Sequence, residues 1–411
     1  MDNKQKGYDL YFVIFIATTI FFFIVWVILI FSQGYNSSQF SFFFDRCADL
    51  FADFTNVCGY SQDRDVYRNT VNSLAEKGYP PLPYMISYFF ARFESEYPTN
   101  YFYSYVDTRF LIMFVLATVF IMVVISLFIY EELLGNNAMK LLGALILSFS
   151  ATNIYLVERG NYMLLTELFC LVYILWYDSD SRVRREIALV AFSFAVGLKI
   201  VPAILGVFLL YDKRFIDALK VIIYSAALVI LPFLFFEGGL NNIPLMFQNA
   251  ALFLEKYSNL TGIGLTADIF IVAKSFNVSF IWSDELELFS RIFAFGLSAI
   301  IILFSWIFDR KVDKVVAVTL VMIILPKYSS SYNVAYFIPA IVLFLNDRKR
   351  RTGDVLCLIA FLLNNITIYI NELNANQWSV LLLIVYTCYR IMIMAHGVQL
   401  PKKLDFNVKS R

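Results

Sequence analysis

Residues 111–130 read LIMFVLATVFIMVVISLFIY, a run of twenty residues without a charged side chain. A helix of roughly 20 apolar residues is long enough to cross the hydrocarbon core of a bilayer. Similar runs recur along the chain, since 60% of its 411 residues are hydrophobic and 16% are charged, whereas a soluble domain has about 25% charged residues. The sequence therefore predicts an all-α integral membrane protein, folded as a single membrane domain over residues 1–411.

We predict twelve transmembrane helices, within a range of ten to thirteen. Two stretches make the count uncertain: 187–211 is one apolar run interrupted by Lys199 and Pro202, and residues 326–333 interrupt another. The first apolar run is too long for a cleaved signal peptide, and no small-residue cleavage site follows it. The predicted spans are 9–32, 110–130, 140–157, 162–177, 187–198, 200–211, 215–235, 288–308, 314–326, 333–346, 354–371 and 378–395.

The distribution of Lys and Arg predicts the orientation, because short cytoplasmic loops carry an excess of both. With the N-terminus inside, the short inner segments read KQK, RVRR, DKR, DRKVDK and NDRKRR, and the tail reads PKK. We therefore expect both termini in the cytoplasm of a bacterial cell, with the long loops 33–109 and 236–287 outside its plasma membrane. Each loop contains an apolar stretch too short to span, at 82–93 and 244–257, which suits a helix in the membrane interface.

Five cysteines are present, and two of them, Cys47 and Cys58, share the first outer loop. A disulfide is possible there if that side is oxidising. Two unpaired thiols fit the sequence equally well, because a short helix between them would hold them apart.

The first outer loop opens with three aspartates at intervals of four, Asp45, Asp49 and Asp53. On a helix this spacing stacks them along one face, where like charges repel by about 0.2–0.5 kcal/mol per pair. One interpretation is a solvated acidic face. The other is a catalytic cluster, which is favoured because the triplet follows a membrane span directly and precedes the rigid turn 78-GYPPLPY-84.

Three cations are predicted near the outer ends of spans: Arg159, Lys199 and Lys327. A cation at membrane depth is unfavourable and marks a function by default. Together they could hold a phosphate at headgroup depth, opposite the aspartates. Snorkelling at the ends of spans is the alternative, and it is weakest for Lys199, which has apolar residues on both sides.

Several chemistries are excluded by what the sequence lacks. The only histidine, His396, lies at the inner end of the last predicted span, so no histidine-based metal site or Ser-His-Asp arrangement is expected outside. No phosphate-binding P-loop motif is present, and the net charge of +1 gives no basic field for nucleic acid. We expect no cofactor, although an all-carboxylate metal site in the first loop stays open.

In their order along the chain, these elements resemble the GT-C superfamily of membrane glycosyltransferases. Within it they resemble glycosyltransferase family 87, the polyprenol-phosphate-mannose-dependent α-1,2-mannosyltransferases. A polar stretch, 327-KYSSSYN-333, stands where the family has a Ser/Trp/His-rich segment, here without the histidine. The matching pieces are 53-DF-54, 65-DVY-67, 79-YPPL-82, 159-RGN-161 and 198-LKIVPAI-204 followed by Asp212, Lys213 and Arg214.

The resemblance implies a polyprenyl-phosphate sugar as donor, a glycan or glycolipid as acceptor, and an aspartate in the first outer loop as general base, acting with inversion. It points to Asp53, with Asp49 second. Asp65 is a rival, because about a dozen residues separate the Asp-Phe and Val-Tyr elements that adjoin in typical members. The residues expected to bind substrate are Asp45, Tyr67, Arg68, Tyr79, Arg159, Asn161, Lys199, Lys327 and Tyr328.

Two other functions fit an integral membrane protein of this size. A transporter or flippase for lipid-linked oligosaccharides would place its charges at the bilayer midplane and commonly has repeated halves; the sequence shows neither clearly. A glycan polymerase shares the aromatic-rich outer loops, but we expect its large loop later in the chain and richer in arginine.

Overall fold

A computed structural model describes residues 10–33, 51–71, 73–92, 108–257, 263–265, 269, 284–366, 369–370 and 373–395, and the structural statements below concern these residues. They form sixteen α-helices and one two-stranded hairpin, so the predicted all-α class is confirmed. The helices are α1 (Leu10–Gln33), α2 (Ala52–Tyr60), α3 (Pro81–Ala91), α4 (Thr108–Glu132), α5 (Asn137–Ser148), α6 (Ala151–Arg159), α7 (Met163–Trp176), α8 (Arg182–Leu198), α9 (Val207–Tyr211), α10 (Phe215–Ile230), α11 (Asn242–Tyr257), α12 (Asp284–Ser305), α13 (Lys311–Ile324), α14 (Ile338–Asn346), α15 (Asp354–Asn364) and α16 (Ala375–Ala395).

Short 3-10 helices interrupt or extend several of these helices, and β1 (Tyr369–Ile370) pairs antiparallel with β2 (Leu373–Asn374). The 3-10 helices are Leu74–Glu76, Val201–Gly206, Leu231–Phe235, Gly239–Asn241 and Ser331–Phe337.

Five of the described helices, one of them continued by a 3-10 turn, are long and apolar enough to cross a membrane. They carry the segments Leu10–Ile28, Leu111–Glu132, Phe215–Phe235, Glu285–Ser305 and Ala375–Ala395. Large apolar side chains such as Phe31, Phe120 and Leu303 are exposed on them, as expected for a surface that faces lipid rather than water. The chain is therefore an integral membrane protein.

The other predicted spans correspond to shorter or broken helices. The predicted span 140–157 is the pair α5 and α6, which bend by 44° at their junction. The predicted break at Lys199 is present, because α8 ends at Leu198 and Lys199 is extended with φ −145° and ψ 131°. Because these helices are short or bent, the count of twelve transmembrane helices stays a prediction.

Helix α13 forms the centre of the bundle. From Val315 to Ile324 its residues are all buried and, apart from Thr319, all apolar, which is the pattern of a helix enclosed by other helices. At its N-terminal end, the buried Arg310 donates to Asp313 Oδ1 at 2.6 Å and to Asp354 Oδ1 at 2.7 Å. The Tyr386 hydroxyl donates to Asp313 Oδ1 at 2.6 Å. Part of the basic segment 309–314 is thus an internal ion network rather than a solvated loop.

Both stretches predicted as interfacial helices are helical. The first is α3, in which Pro81 occupies an N-terminal position and Pro80 precedes it; proline is favoured there because the missing N–H would lack a helical partner anyway. The second is α11, which packs against the 3-10 helix Leu74–Glu76. The Tyr-Pro-Pro turn therefore sets the start of α3, beside α2.

Candidate active site

Helix α2 places Asp53 in its first turn, where the helix dipole favours a negative side chain. Phe51, just before the helix, has a left-handed backbone with φ 57° and ψ 17°. We predicted one continuous helix through Asp45, Asp49 and Asp53. This prediction is wrong just before Asp53, because the helix that carries Asp53 begins at Ala52. Asp45 and Asp49 themselves lie outside the described residues.

Both carboxylate oxygens of Asp53 accept a hydrogen bond. Arg159 Nη2 lies 2.6 Å from Oδ1, and Asn161 Nδ2 lies 2.6 Å from Oδ2. Each carboxylate oxygen has a second lone pair, and 19% of the Asp53 side chain is exposed. The carboxylate is thus fixed in orientation and still able to accept a proton.

The turn between α6 and α7 supplies both donors. Asn161 Oδ1 accepts a hydrogen bond from the Met163 N–H at 2.9 Å. This bond satisfies the first N–H of α7 and directs Nδ2 toward Asp53. Gly160, between the two donors, has φ 64°, and a Cβ there would lie 2.8 Å from the Phe54 Cβ. The Arg-Gly-Asn sequence therefore combines two side-chain donors with a close approach of α2 that only glycine permits.

Lys199 and Tyr332 complete this group. The Lys199 ammonium lies 5.1 Å from the centre of the Tyr332 ring and is close enough to Asp53 for their charges to interact. Tyr332, on the 3-10 helix Ser331–Phe337, has its hydroxyl 3.2 Å from Asn161 Nδ2. The sequence singled out the polar stretch that contains Tyr332 but not this residue, and a tyrosine within KYSSSYN was the available signal.

Tyr79 lies beside the same carboxylate. Burial raises the pKa of the Tyr79 hydroxyl, the charge of Asp53 raises it further, and the contact with Asn161 lowers it in part. Tyr79 therefore stays a neutral hydroxyl at physiological pH. Its backbone is held by Tyr67, whose hydroxyl donates to the Tyr79 carbonyl at 3.0 Å. Tyr67 is buried and stacks on Phe233, so its described contacts are structural.

Lys327 and Tyr328, the predicted residues of the polar 327–333 stretch, have their described contacts with residues other than Asp53. Lys327 Nζ pairs with Glu287 Oε1 at 2.6 Å. The Tyr328 hydroxyl accepts a hydrogen bond from Ser330 at 3.1 Å, and its ring packs edge-on against Phe253. Among the described ion pairs, Arg159 is the predicted cation that bonds to Asp53.

Asp65 lies in the turn after α2. Its N–H donates to Asp63 Oδ1 at 3.0 Å, and its carbonyl accepts from the Arg68 N–H at 3.1 Å. The charge of Asp65 acts on the buried Lys77, and the exposed Arg68 side chain lies beside Gly238. The structure thus joins Asp53, Arg159, Asn161 and Lys199 in one group and places Asp65 and Arg68 in a neighbouring turn.

Within the described ranges, no three His, Cys, Asp or Glu side chains are grouped as metal ligands. Cys58 is buried in α2, and Cys47 lies outside the described residues. That the protein needs no metal therefore stays a prediction, and whether Cys47 and Cys58 form a disulfide stays open.

Comparison with known proteins gives one match. The profile of glycosyltransferase family 87 matches residues 78–329, well over half of the chain. The chain matches none of the curated proteins and none of the solved structures. The matched range contains Tyr79, Arg159, Asn161 and Lys199, and Asp53 and Tyr332 join them from outside that range.

Proposed function

Because the chain belongs to glycosyltransferase family 87, we propose that Asp53 is the general base with which this membrane glycosyltransferase moves a monosaccharide from a polyprenyl-phosphate donor to a glycan or glycolipid acceptor. One observation carries the proposal. The carboxylate of Asp53 is held by Arg159 and Asn161, with Lys199 beside it, and all three come from the range that matches the family.

The proposed reaction is a single displacement. The acceptor hydroxyl transfers its proton to Asp53 as its oxygen forms a bond to the anomeric carbon. The bond between that carbon and the phosphate oxygen breaks, and polyprenyl phosphate leaves with the electron pair. Attack from the face opposite the leaving group inverts the configuration, and general-base help of this kind contributes about 10²–10⁴-fold in rate.

The leaving phosphate needs positive charge near the point where its own charge develops. Lys199 is the best-placed candidate, because its ammonium rests on the Tyr332 ring and no carboxylate pairs with it among the described salt bridges. Arg159 adds a second positive charge beside the carboxylate, and its Nη2 donates to Asp53. Lys327, which is paired with Glu287, would contribute less.

The membrane topology of this proposal keeps twelve spans, with both termini in the cytoplasm and the site at the outer face. It is supported by the basic segments 309–314 and 346–353, which flank the N-terminal end of α13, whereas Tyr332 follows its C-terminal end. The shorter apolar helices α7, α14 and α15 would supply part of the additional spans. In a variant that lacks the five native cysteines, single cysteines introduced at the exposed Thr70 and at Lys349 test the orientation. A membrane-impermeant thiol reagent added to intact cells should label the first and not the second.

Sugar transfer by variants tests the base. Purified protein in lipid nanodiscs would receive radiolabelled polyprenyl-phosphate sugars, mannose first, with a glycolipid extract as acceptor. We expect Asp53→Asn to lose about 10²-fold or more in kcat while it stays folded, with a loss of stability no larger than the about 1–2 kcal/mol of a partly exposed ion pair. Asp65→Asn is the matched control, since it removes an aspartate of the same loop. Full activity of Asp53→Asn would refute the assignment, and loss in Asp65→Asn or Asp49→Asn instead would transfer the role to that residue.

A further inference from the structure

We infer that Tyr332 is a positioning residue that couples the orientation of the Asp53 base to the placement of the Lys199 cation. The inference rests on the proposed function and adds a residue that lies beyond the range matched to the family. It also assigns different tasks to the two parts of one side chain, the hydroxyl and the ring.

The hydroxyl of Tyr332 acts on the base through Asn161. The amide nitrogen of Asn161 has two hydrogens; one goes to Asp53 Oδ2 at 2.6 Å and the other points to the Tyr332 oxygen at 3.2 Å. The amide oxygen is committed to the Met163 N–H. With both N–H groups and the oxygen engaged, the amide plane has one orientation, and that orientation directs one N–H at the carboxylate.

The ring of Tyr332 acts on the cation. A Lys ammonium within about 6 Å of the centre of an aromatic ring is attracted to its negative face, and here the distance is 5.1 Å. Lys199 follows the end of α8 and has an extended backbone, so helix geometry does not fix its side chain. The ring therefore gives the ammonium a defined resting position on the side of the site where Asp53 lies.

The position of Tyr332 is itself held from two sides. Its ring packs against Tyr155 of α6, with centroids 5.9 Å apart. The residue before it, Ser331, receives hydrogen bonds at 3.3 Å from Asn374, on its hydroxyl, and from Asn376, on its carbonyl. Helix α6, β2 and the start of α16 thus fix the tyrosine between base and cation.

Two substitutions separate the two tasks. Tyr332→Phe removes the hydroxyl and keeps the ring, so we expect kcat for sugar transfer to fall about three- to tenfold, the range for one lost hydrogen bond, with unchanged affinity for polyprenyl phosphate. Tyr332→Leu removes both, so we expect affinity for polyprenyl phosphate to fall as well, about five- to thirtyfold. A purely structural role would move kcat and affinity together in both variants.

Tyr336→Phe is the matched control. Tyr336 lies on the same 3-10 helix and is buried, and its hydroxyl has no hydrogen-bond partner within the described ranges. We expect this variant to retain wild-type kcat and affinity. Polyprenyl phosphate binding would be measured directly on purified protein, and unfolding temperatures would be recorded for each variant.

The inference is overturned if Tyr332→Phe matches Tyr336→Phe in kcat, or if Tyr332→Phe loses phosphate affinity in proportion to kcat. Wild-type affinity of a folded Tyr332→Leu would also overturn it, and if that variant does not fold, the phenylalanine variant still decides. Asp53→Asn, measured in parallel, separates the two proposals. An active Asp53→Asn refutes the proposed function, whereas an inactive Asp53→Asn beside a fully active Tyr332→Phe refutes only the role of Tyr332.

Discussion

Arg159 Nη2 lies 2.6 Å from Asp53 Oδ1, although 106 residues separate the two along the chain. The side chains are 22% and 19% exposed, so the pair is partly shielded from solvent. A second contact runs in parallel, because the Phe51 N–H donates to the Glu158 carbonyl at 2.6 Å. The end of α6 is thus joined to the start of α2 by both side chains and backbone, next to the proposed base.

We expect Arg159→Met to lower both stability and activity, since it leaves Asp53 without its charged partner in a partly buried place. The loss for fully buried pairs is about 3–5 kcal/mol, and partial exposure should reduce it to about 1–2 kcal/mol. A double-mutant cycle with Asp53→Asn, read from unfolding temperatures, tests the pairing. The double variant should lose less than the sum of the single losses, and additive losses would show that the pair contributes nothing.

Gly160→Ala should be more damaging than Gly239→Ala, although both glycines have a positive φ, of 64° and 52°. Each alanine would meet the left-handed strain of about 1–2 kcal/mol. Only at Gly160 would the new Cβ also meet Phe54, at 2.8 Å, whereas nothing lies within 4 Å at Gly239. We expect a lower unfolding temperature and weaker transfer in Gly160→Ala alone; equal effects of the two changes would mean that α2 yields easily.

Much of the fold could be read from local sequence. The apolar runs predicted helices, Lys199 with Pro202 predicted the break after α8, and the apolar stretch 82–93 predicted α3. These signals depend on a few neighbouring residues. The helix predicted from the spacing of the aspartates was wrong because that spacing, too, depends only on neighbouring residues. It contains no information on the backbone of Phe51, whose N–H donates to the Glu158 carbonyl more than a hundred residues away.

The candidate site could be predicted only in outline. The predicted topology placed Arg159 and Lys199 on the side of the aspartates. In the structure Arg159 bonds to Asp53, and Lys199 lies near enough for its charge to interact with that carboxylate. The sequence could not show that Asn161 contacts Tyr332, 171 residues further along the chain, because a single sequence does not record which distant residues are in contact. It also could not anticipate that Glu287 would engage Lys327.

Lys199 and Lys327 should therefore contribute unequally to the binding of polyprenyl phosphate. Lys199→Met should weaken the binding of polyprenyl phosphate by about tenfold or more, the scale of a charged hydrogen bond, with little change in unfolding temperature. Lys327→Met should act mainly through the lost pair with Glu287, so its effect should be small and matched by Glu287→Gln. Direct binding measurements on the three variants check this, and a larger loss of affinity in Lys327→Met than in Lys199→Met would reverse the assignment.

The pH dependence of stability should reveal a buried lysine beside the site. Lys77 is fully buried, and its ammonium donates to the Asn69 carbonyl at 2.5 Å and to Asn69 Oδ1 at 2.7 Å. Burial lowers the pKa of Lys77 from 10.5 to about 8, against the opposing charges of Asp63, Glu76 and Asp65. Below that value the lysine is protonated in both the folded and the unfolded chain, so it contributes no pH dependence.

Between pH 8 and 10.5 the unfolded chain binds a proton that the folded chain has lost, so the free energy of unfolding contributed by Lys77 rises with pH. We expect the unfolding temperature of the wild type to increase over this window relative to that of Lys77→Met, which cannot titrate. Subtracting the unfolding temperatures of the two proteins at each pH cancels the contributions of the tyrosines and other lysines, which titrate in both. Parallel curves for the two proteins from pH 7 to 10.5 would show that the pKa of Lys77 is not lowered by burial.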